Sequence, residues 1–207
     1  MTCADVPGGL ASGYRVDGAP GPCDGRAMTT GDVADPALPP RPEPRTPPAT
    51  IHALAAGDLD TANLTSPAPL TAYLVEPDAR YVWGLRSRQV DADPATAQWI
   101  TGVIVDAGSG VVVGRAGFHG PPDARGMVEV GYSVDPDYRR RGYARATLRA
   151  MLDRARRDPS VRTVRATISP DNIASRALVL QHGFVEVGEQ WDAEDGLEIV
   201  FEVPAES

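Results

Sequence analysis

Hydrophobic and polar positions repeat with two different periods along the last three quarters of the chain. Alternating or continuous apolar stretches predict six β-strands, at 98–106, 111–118, 127–134, 163–168, 184–191 and 197–203. Apolar residues at helical spacing, such as Leu148, Met151 and Ala155, predict a helix over 142–157, and another is predicted over 172–182. Prolines among helix formers at 57–90 predict two or three short helices, and a short first strand is predicted at 50–55.

The order of these elements predicts the fold class. Helices come first, an antiparallel meander follows, and the chain ends as β-α-β-α-β-β. Such an order predicts an α/β (α+β) domain in which a mixed sheet carries helices on its faces.

Composition changes sharply near residue 50. Residues 1–50 hold 10 of the 20 prolines, including the run LPPRPEPRTPP. Such a segment buries too little apolar surface to offset the entropy of ordering it. We therefore predict a disordered or extended tail over 1–49 and one domain over 50–207. The alternatives for the tail are a proline-rich docking peptide and a true translation start further downstream.

Charge and the absence of targeting signals narrow the class of protein. All 20 basic residues are arginines, and 28 acids give a formal net charge of −8, which argues against nucleic acid or an anionic membrane as partner. There is no apolar run long enough to span a membrane and no signal-peptide pattern, so a cytoplasmic location is expected. Three isolated histidines and two tail cysteines offer no metal-binding spacing, so no metal is expected.

The segment GYSVDPDYRRRGYARATLRAML carries the clearest chemical signal. A strand ends at Val134, an arginine-rich loop follows, and a helix opens near Gly142. The first amides of a helix lack intrahelical acceptors and carry the positive end of the helix dipole, while glycine lets a ligand approach the backbone closely. This arrangement predicts an anion site suited to phosphate or pyrophosphate.

The same segment resembles a known family. Arg139-x-x-Gly142-x-Ala144 is similar to the acetyl-CoA signature of the GNAT N-acetyltransferase superfamily, and PDNIASRALVLQHGF resembles that family's next conserved segment. The similarity covers about 105–203 and is strongest to the RimJ/RimL-like group of ribosomal-protein N-terminal acetyltransferases. It implies a mostly antiparallel sheet of six to seven strands, helices on both faces, and a splay between two central strands.

The resemblance further implies that acetyl-CoA binds in the splay between the strands that end near Val134 and Ile168. Strand amides would flank its pantetheine arm and polarise the thioester carbonyl, and loop amides would hold its pyrophosphate. The expected cofactor-binding residues are Tyr132, Ser133, Val134, Arg139, Arg140, Arg141, Gly142, Tyr143, Ala144 and Asn172.

Acetyl transfer to an amine needs a base for the amine and an acid for the departing thiolate. Glu129 is the first candidate for the base, because it is a charged residue inside an apolar strand. For the acid, Val179 occupies the position where many family members have Tyr, and Ser175 is therefore the candidate. His119 is a lower-ranked candidate on the acceptor side, and water remains open for either role.

The C-terminal strands suggest the acceptor. Eight acids and no arginine follow Gly183, and Glu194 and Asp195 lie at the predicted turn. A negative rim there would attract a cationic amine. The prediction is direct acetyl transfer to a peptide N-terminus or a small cationic amine, with exposed strand edges compatible with a homodimer. The alternative is a catalytically silent acyl-CoA-binding module that regulates a partner.

Overall fold

The computed structural model describes residues 13–16 and 46–205. In chain order the elements are β1 (Gly13–Val16), α1 (Pro48–Ala56), α2 (Leu59–Thr65), α3 (Pro77–Ala92), β2 (Gly102–Asp106), β3 (Val112–Phe118), β4 (Met127–Val134), α4 (Tyr143–Arg157), β5 (Thr163–Ile168), α5 (Ile173–Leu180), β6 (Val185–Asp192) and β7 (Gly196–Pro204). Short 3-10 helices lie at Ala72–Val75, Pro94–Gln98 and Pro136–Tyr138. The structure confirms the predicted bounds of β4 and β5, and α4 begins one residue later than predicted.

The strands form one seven-stranded sheet with the order β1-β2-β3-β4-β5-β7-β6. The pairs β1–β2 and β4–β5 are parallel and the others antiparallel, which confirms the mixed, mostly antiparallel sheet. Strands β4 and β5 pair only over Met127–Glu129 and Thr163–Arg165. Beyond these residues the two strands separate, and this is the expected splay at the centre of the sheet.

Helices cover both faces of the sheet, and each face has its own core. One core joins α1, α2 and α3 to Val103 and Val105 of β2. The other joins α4 and α5 to alternate residues of the central strands, such as Val128 and Val164. Because neighbouring strand residues point to opposite faces, β4 contributes to both sides of the molecule.

The predicted strand at 50–55 is wrong, because these residues lie in α1. Pro48 takes the first helical position, where its missing N–H costs nothing, and Gly57 ends the helix in the left-handed conformation at φ 80°. Ile51 and Leu54 are buried at a spacing of three, as a helix requires. The start signal at Pro48 and the stop signal at Gly57 outweigh the strand preference of the β-branched Thr50 and Ile51.

The predicted tail over 1–49 needs correction at two places. Residues Gly13–Val16 form β1 and pair in parallel with β2, burying Val16. Thr46 is buried, and its hydroxyl accepts a hydrogen bond from the Val103 N–H at 3.3 Å. Pro47, Pro48 and Ala49 belong to the N-cap and the first turn of α1, and residues 1–12 and 17–45 lie outside the described residues. None of the described helices is long and apolar enough to cross a membrane.

Candidate active site

The splay opens onto a cavity of about 530 Å³ between β4, the start of α4 and α5. Pockets that bind small ligands have volumes of roughly 300–1,000 Å³. Nine of the ten residues predicted to bind a cofactor line this cavity, and so does Ser175. Residues that the sequence analysis did not select also line it: Tyr138, Arg145, Ala174, Ala177, Leu178 and Gln181.

The N-terminus of α4 opens into the cavity with its amides uncapped. Gly142 is the N-cap residue at φ 86°, and it offers no side chain to accept from the first turn. The N–H groups of Tyr143, Ala144 and Arg145 therefore have no intrahelical acceptor. Arg140 is also left-handed, at φ 60°, a strain that recurs at ligand-binding loops. The geometry suits an anion held by backbone donors.

The three arginines before α4 differ in what they contact. Arg139 donates from Nε to the Val134 carbonyl at 3.0 Å and so ties the loop to the end of β4. Arg140 lines the cavity without a hydrogen bond to any described residue. Arg141 does not line the cavity, because its side chain donates to the Asp137 carbonyl and lies over the Tyr138 ring. Its side chain therefore stabilises the loop, and the predicted contact of its backbone amide with a cofactor stays a prediction.

Strand geometry divides the three predicted β4 residues into two groups. The Glu129 carbonyl and the Asp135 N–H both bond groups on the β3 side. Because backbone groups alternate in direction along an antiparallel strand, the Ser133 amide also faces β3, while those of Tyr132 and Val134 face the splay. The predicted backbone role is therefore available to Tyr132 and Val134 and not to Ser133.

Asn172 and Ser175 lie together at the start of α5. The Asn172 Oδ1 accepts from the Ser175 N–H at 3.1 Å, which is an ordinary helix N-cap. Its amide Nδ2 has no hydrogen-bond partner among the residues described and remains available to a ligand in the cavity.

The side chain of Tyr132 is a functional candidate that the sequence analysis missed, since it considered only the backbone. Its hydroxyl is buried and makes no hydrogen bond of normal geometry within 13–16 and 46–205, although the Ser175 side chain lies near it. Burial raises the pKa of this phenol, and the nearby Ser175 side chain acts in the opposite direction. A buried hydroxyl without a partner costs roughly 1–3 kcal/mol, and a ligand in the cavity would offset that cost. The sequence did carry a signal: Tyr132 alternates with the same spacing of two as Val128, Val130 and Val134, which are buried.

On the other face of β4, Glu129 contacts two side chains. Its Oε1 lies 3.2 Å from His119 Nδ1 and accepts from the Thr167 hydroxyl at 2.7 Å. Burial by itself raises the pKa of Glu129, but the hydrogen bond and charge of His119, the Thr167 hydrogen bond and the charge of Arg165 outweigh it. The pKa therefore lies below its usual range, and Glu129 is a carboxylate at neutral pH.

His119 is held from two directions. Its backbone carbonyl accepts from Arg86 Nη1 at 3.1 Å and from Gln89 Nε2 at 2.7 Å, both on α3. Its ring lies across Gly131, where an added Cβ would sit 2.8 Å from Nε2. With Nδ1 directed at Glu129, Nε2 lies against β4 between Glu129 and Ser133.

The acidic turn between β6 and β7 lies beside α3. The Asp192 carboxylate accepts from the N–H groups of Glu194 and Asp195, at 2.8 and 3.0 Å. Glu194 lies against Tyr81, and this contact is the main cause that raises the pKa of the phenol. The predicted substrate residues Glu194 and Asp195 thus flank the helix that holds His119. Trp83 and Trp99 are buried in the two cores and do not line this side of the site.

Comparison with known proteins agrees with this geometry. The model of the GNAT acetyltransferase domain family matches residues 50–185. The uncharacterized N-acetyltransferase YjdG of Bacillus subtilis (strain 168) is 30% identical over 83 residues, which cover 40% of this chain and 49% of that protein. The chain thus matches about half the length of this curated relative.

Two solved structures share the fold. RimJ of Mycobacterium smegmatis in complex with CoA-disulfide has a TM-score of 0.53 at 22% identity, covering 75% of this chain and 78% of that one. The ribosomal-protein-S5-alanine acetyltransferase of Vibrio fischeri has a TM-score of 0.53 at 18% identity, covering 76% and 87%. At these identities the likeness concerns the fold. No cluster of His, Cys, Asp or Glu suited to a metal ion occurs in the part of the chain that the structure describes.

Proposed function

The chain belongs to the GNAT acetyltransferase family, and on that basis we propose that it transfers an acetyl group from acetyl-CoA to a primary amine in a ternary complex. One observation carries the proposal: the two faces of β4 present complementary chemistry at the splay. An anion-binding cavity lies on the α4 side, and a Glu–His pair lies on the α3 side.

The residues around the cavity fit acetyl-CoA, which supplies an activated acetyl thioester when bound. The uncapped amides of Tyr143, Ala144 and Arg145 would hold the pyrophosphate, with Arg140 beside them. The Asn172 amide would contact the pantetheine arm. The amides of Tyr132 and Val134, which face the splay, would donate to the carbonyl oxygen as negative charge develops on it.

The Glu129–His119 pair would take the proton from the acceptor amine. A carboxylate with a lowered pKa is a weak base by itself. Its stronger contribution is to hold the Nδ1–H tautomer of His119, so that the Nε2 lone pair accepts the proton. Glu129 then acts as the positioning residue and His119 as the base. The sequence analysis assigned these two residues in the opposite order.

Two hydroxyls, Ser175 and Tyr132, would return a proton to the thiolate. Both line the cavity on the α5 side of β4. The Tyr132 hydroxyl makes no hydrogen bond of normal geometry among the described residues, and the Ser175 side chain lies near it. We propose that it acts with Ser175 in the role that the absent tyrosine at Val179 fills elsewhere in the family.

Release of free CoA thiol from acetyl-CoA tests the proposed function. The acceptors would be peptide N-termini, polyamines, aminoglycosides and free amino acids. Acceptor-dependent release by the wild type, reduced about 100-fold in His119→Ala and Glu129→Gln with acetyl-CoA affinity unchanged, is expected. Silence with tight acetyl-CoA binding would favour the silent module, and silence without binding would overturn the proposal.

Tyr132→Phe tests the proton donor separately. Phe keeps the ring and removes only a hydroxyl without a partner, so a purely structural Tyr132 predicts unchanged or greater stability and unchanged kcat. A proton donor predicts a fall in kcat of about 10-fold or more. Ser175→Ala is the matched variant on α5, and the double variant shows whether the two hydroxyls act together.

A further inference from the structure

Arg115 is a half-buried cation without a carboxylate partner among the residues that the structure describes. It lies on β3 in register with Ser133, so its side chain is on the same face of the sheet as Glu129. Within the described part of the chain, its one hydrogen bond runs from Nη1 to the Tyr73 hydroxyl at 3.4 Å, and the guanidinium lies 5.8 Å from the centre of the Tyr73 ring. Its Nε and Nη2 have no partner among the residues described.

A second arginine on this face shows what a satisfied guanidinium looks like. Arg165 donates from Nε and Nη2 to Glu202 Oε1, at 2.9 and 2.6 Å. An arginine carries five N–H donors, and burying one without a counterion is costly. Arg115 therefore keeps two N–H donors, Nε and Nη2, that could donate to a carboxylate as those of Arg165 donate to Glu202.

The described charges around Arg115 act on it from a distance and none of them pairs with it. Burial lowers the pKa of Arg86 to about 10, and Glu129 and Arg115 act on it in opposite directions. Burial also lowers the pKa of Arg115, while Tyr73, Asp78 and Glu76 oppose that shift. Neither of these two carboxylates is within the 4.0 Å of an ion pair.

Arg115 also lies close to the reacting centre. The Tyr73 hydroxyl that it contacts is 2.5 Å from the Ser133 hydroxyl, and Ser133 lines the cavity. The His119 ring lies over Gly131, two residues away on β4. Two residues of a strand span about 7 Å. An amine at His119 and a carboxylate at Arg115 would fit an acceptor in which these groups are separated by only a few bonds.

We propose that Arg115 binds a carboxylate of the acceptor, so that the substrate is an amine carrying a nearby carboxylate. This rests on the proposed function. The planar guanidinium fork binds a carboxylate with two parallel hydrogen bonds, which sets both position and charge. A free amino acid and a peptide that begins with Asp share this chemistry. Polycations lack a carboxylate and so make no use of the Arg115 donors.

Steady-state kinetics with matched acceptors tests the proposal without any substitution. The acceptors are free aspartate, a C-terminally amidated peptide with N-terminal Asp, the same peptide with Asn, and spermidine. We expect the wild type to favour a carboxylate acceptor by roughly 30-fold or more in kcat/KM. The Asp and Asn peptides differ only in the side-chain carboxylate, and free aspartate distinguishes a small acceptor from a peptide. Equal or better use of spermidine or the Asn peptide would overturn the proposal.

Variants of Arg115 add the second test. Arg115→Met should raise KM for the carboxylate acceptor at least 30-fold and leave kcat/KM for the Asn peptide within about 3-fold. Arg115→Lys, which keeps the charge and loses the fork, should fall between. Arg157→Met on the exposed surface of α4 is the control. An equal loss with every acceptor would mean that Arg115 is structural. Failure of the proposed function would appear differently, as no turnover of any acceptor by the wild type.

Discussion

The two faces of β4 are built in different ways. On the α4 side, the cavity is made from two short continuous segments, 132–145 and 172–181, and its main donors are backbone amides. On the α3 side, the chemistry depends on side chains from separate elements, including Tyr73, Arg115, His119, Glu129 and Thr167. A backbone site depends on local conformation, whereas a side-chain site depends on tertiary packing.

Because of this difference, the two faces are suited to different tasks, the binding of a common ligand and the selection of an acceptor. Amides at a helix N-terminus bind an anion whatever side chains surround them, which suits a ligand common to a whole family. Positions on the acceptor face can change one at a time without disturbing the sheet. Under the proposed function, specificity for the acceptor belongs to the α3 side, where substitutions should alter kcat or acceptor KM and spare acetyl-CoA affinity.

The largest expected effect comes from Gly131→Ala, which acts on the α3 side alone. A Cβ there would lie 2.8 Å from His119 Nε2 and would push the imidazole away from Glu129. We expect kcat to fall about 100-fold, the size of a lost general base, with acetyl-CoA affinity unchanged by calorimetry. Gly120→Ala is the matched control, because its added Cβ meets nothing closer than 3.8 Å. An unchanged kcat in Gly131→Ala would remove His119 from the mechanism.

The same contrast explains what could be predicted from the sequence. Strand β4 and helix α4 follow clear periodicities, so both could be located in advance, and the segment predicted to bind an anion lines the cavity beside them. Strand β1 could not, because four residues that pair through their backbone leave no distinctive pattern. The fold of the acceptor face was equally hidden, since contacts such as Ser133 with Tyr73 are 60 residues apart.

One residue on that face did leave a signal. Glu129 was selected because a charged residue inside an apolar strand needs a functional or structural explanation. Arg115 is likewise a charged residue inside an apolar strand, VVGRAGF. Applied evenly, the argument would have selected both. The partners of these residues, Thr167 and Tyr73, come from other elements and required the structure.

An intermediate effect is expected from Gly142→Ala, which acts on the α4 side alone. The left-handed conformation at φ 86° costs a residue with a side chain roughly 1–2 kcal/mol. The loop should shift its amides, and acetyl-CoA should bind about 10-fold more weakly, while the KM for the amine stays unchanged. Gly84→Ala inside α3 is the control, since an added Cβ there makes only ordinary contact at 3.7 Å. Equal weakening of acetyl-CoA and amine binding would mean that the two faces are not independent.

The smallest effect concerns stability in acid and again separates the faces. The folded-state pKa of Glu129 lies below its usual 4.5, so its ionised contacts stabilise the fold above pH 4.5, and this contribution is lost as the pH falls through the folded-state pKa. Urea unfolding should show wild type more stable than Glu129→Gln by about 1 kcal/mol at pH 7, with the gap closing below pH 4.5. Tyr132→Phe should show no such change, because the phenol stays protonated throughout this range. A gap that persists undiminished at pH 3 would mean that packing, and not the charge of Glu129, supports the α3 side.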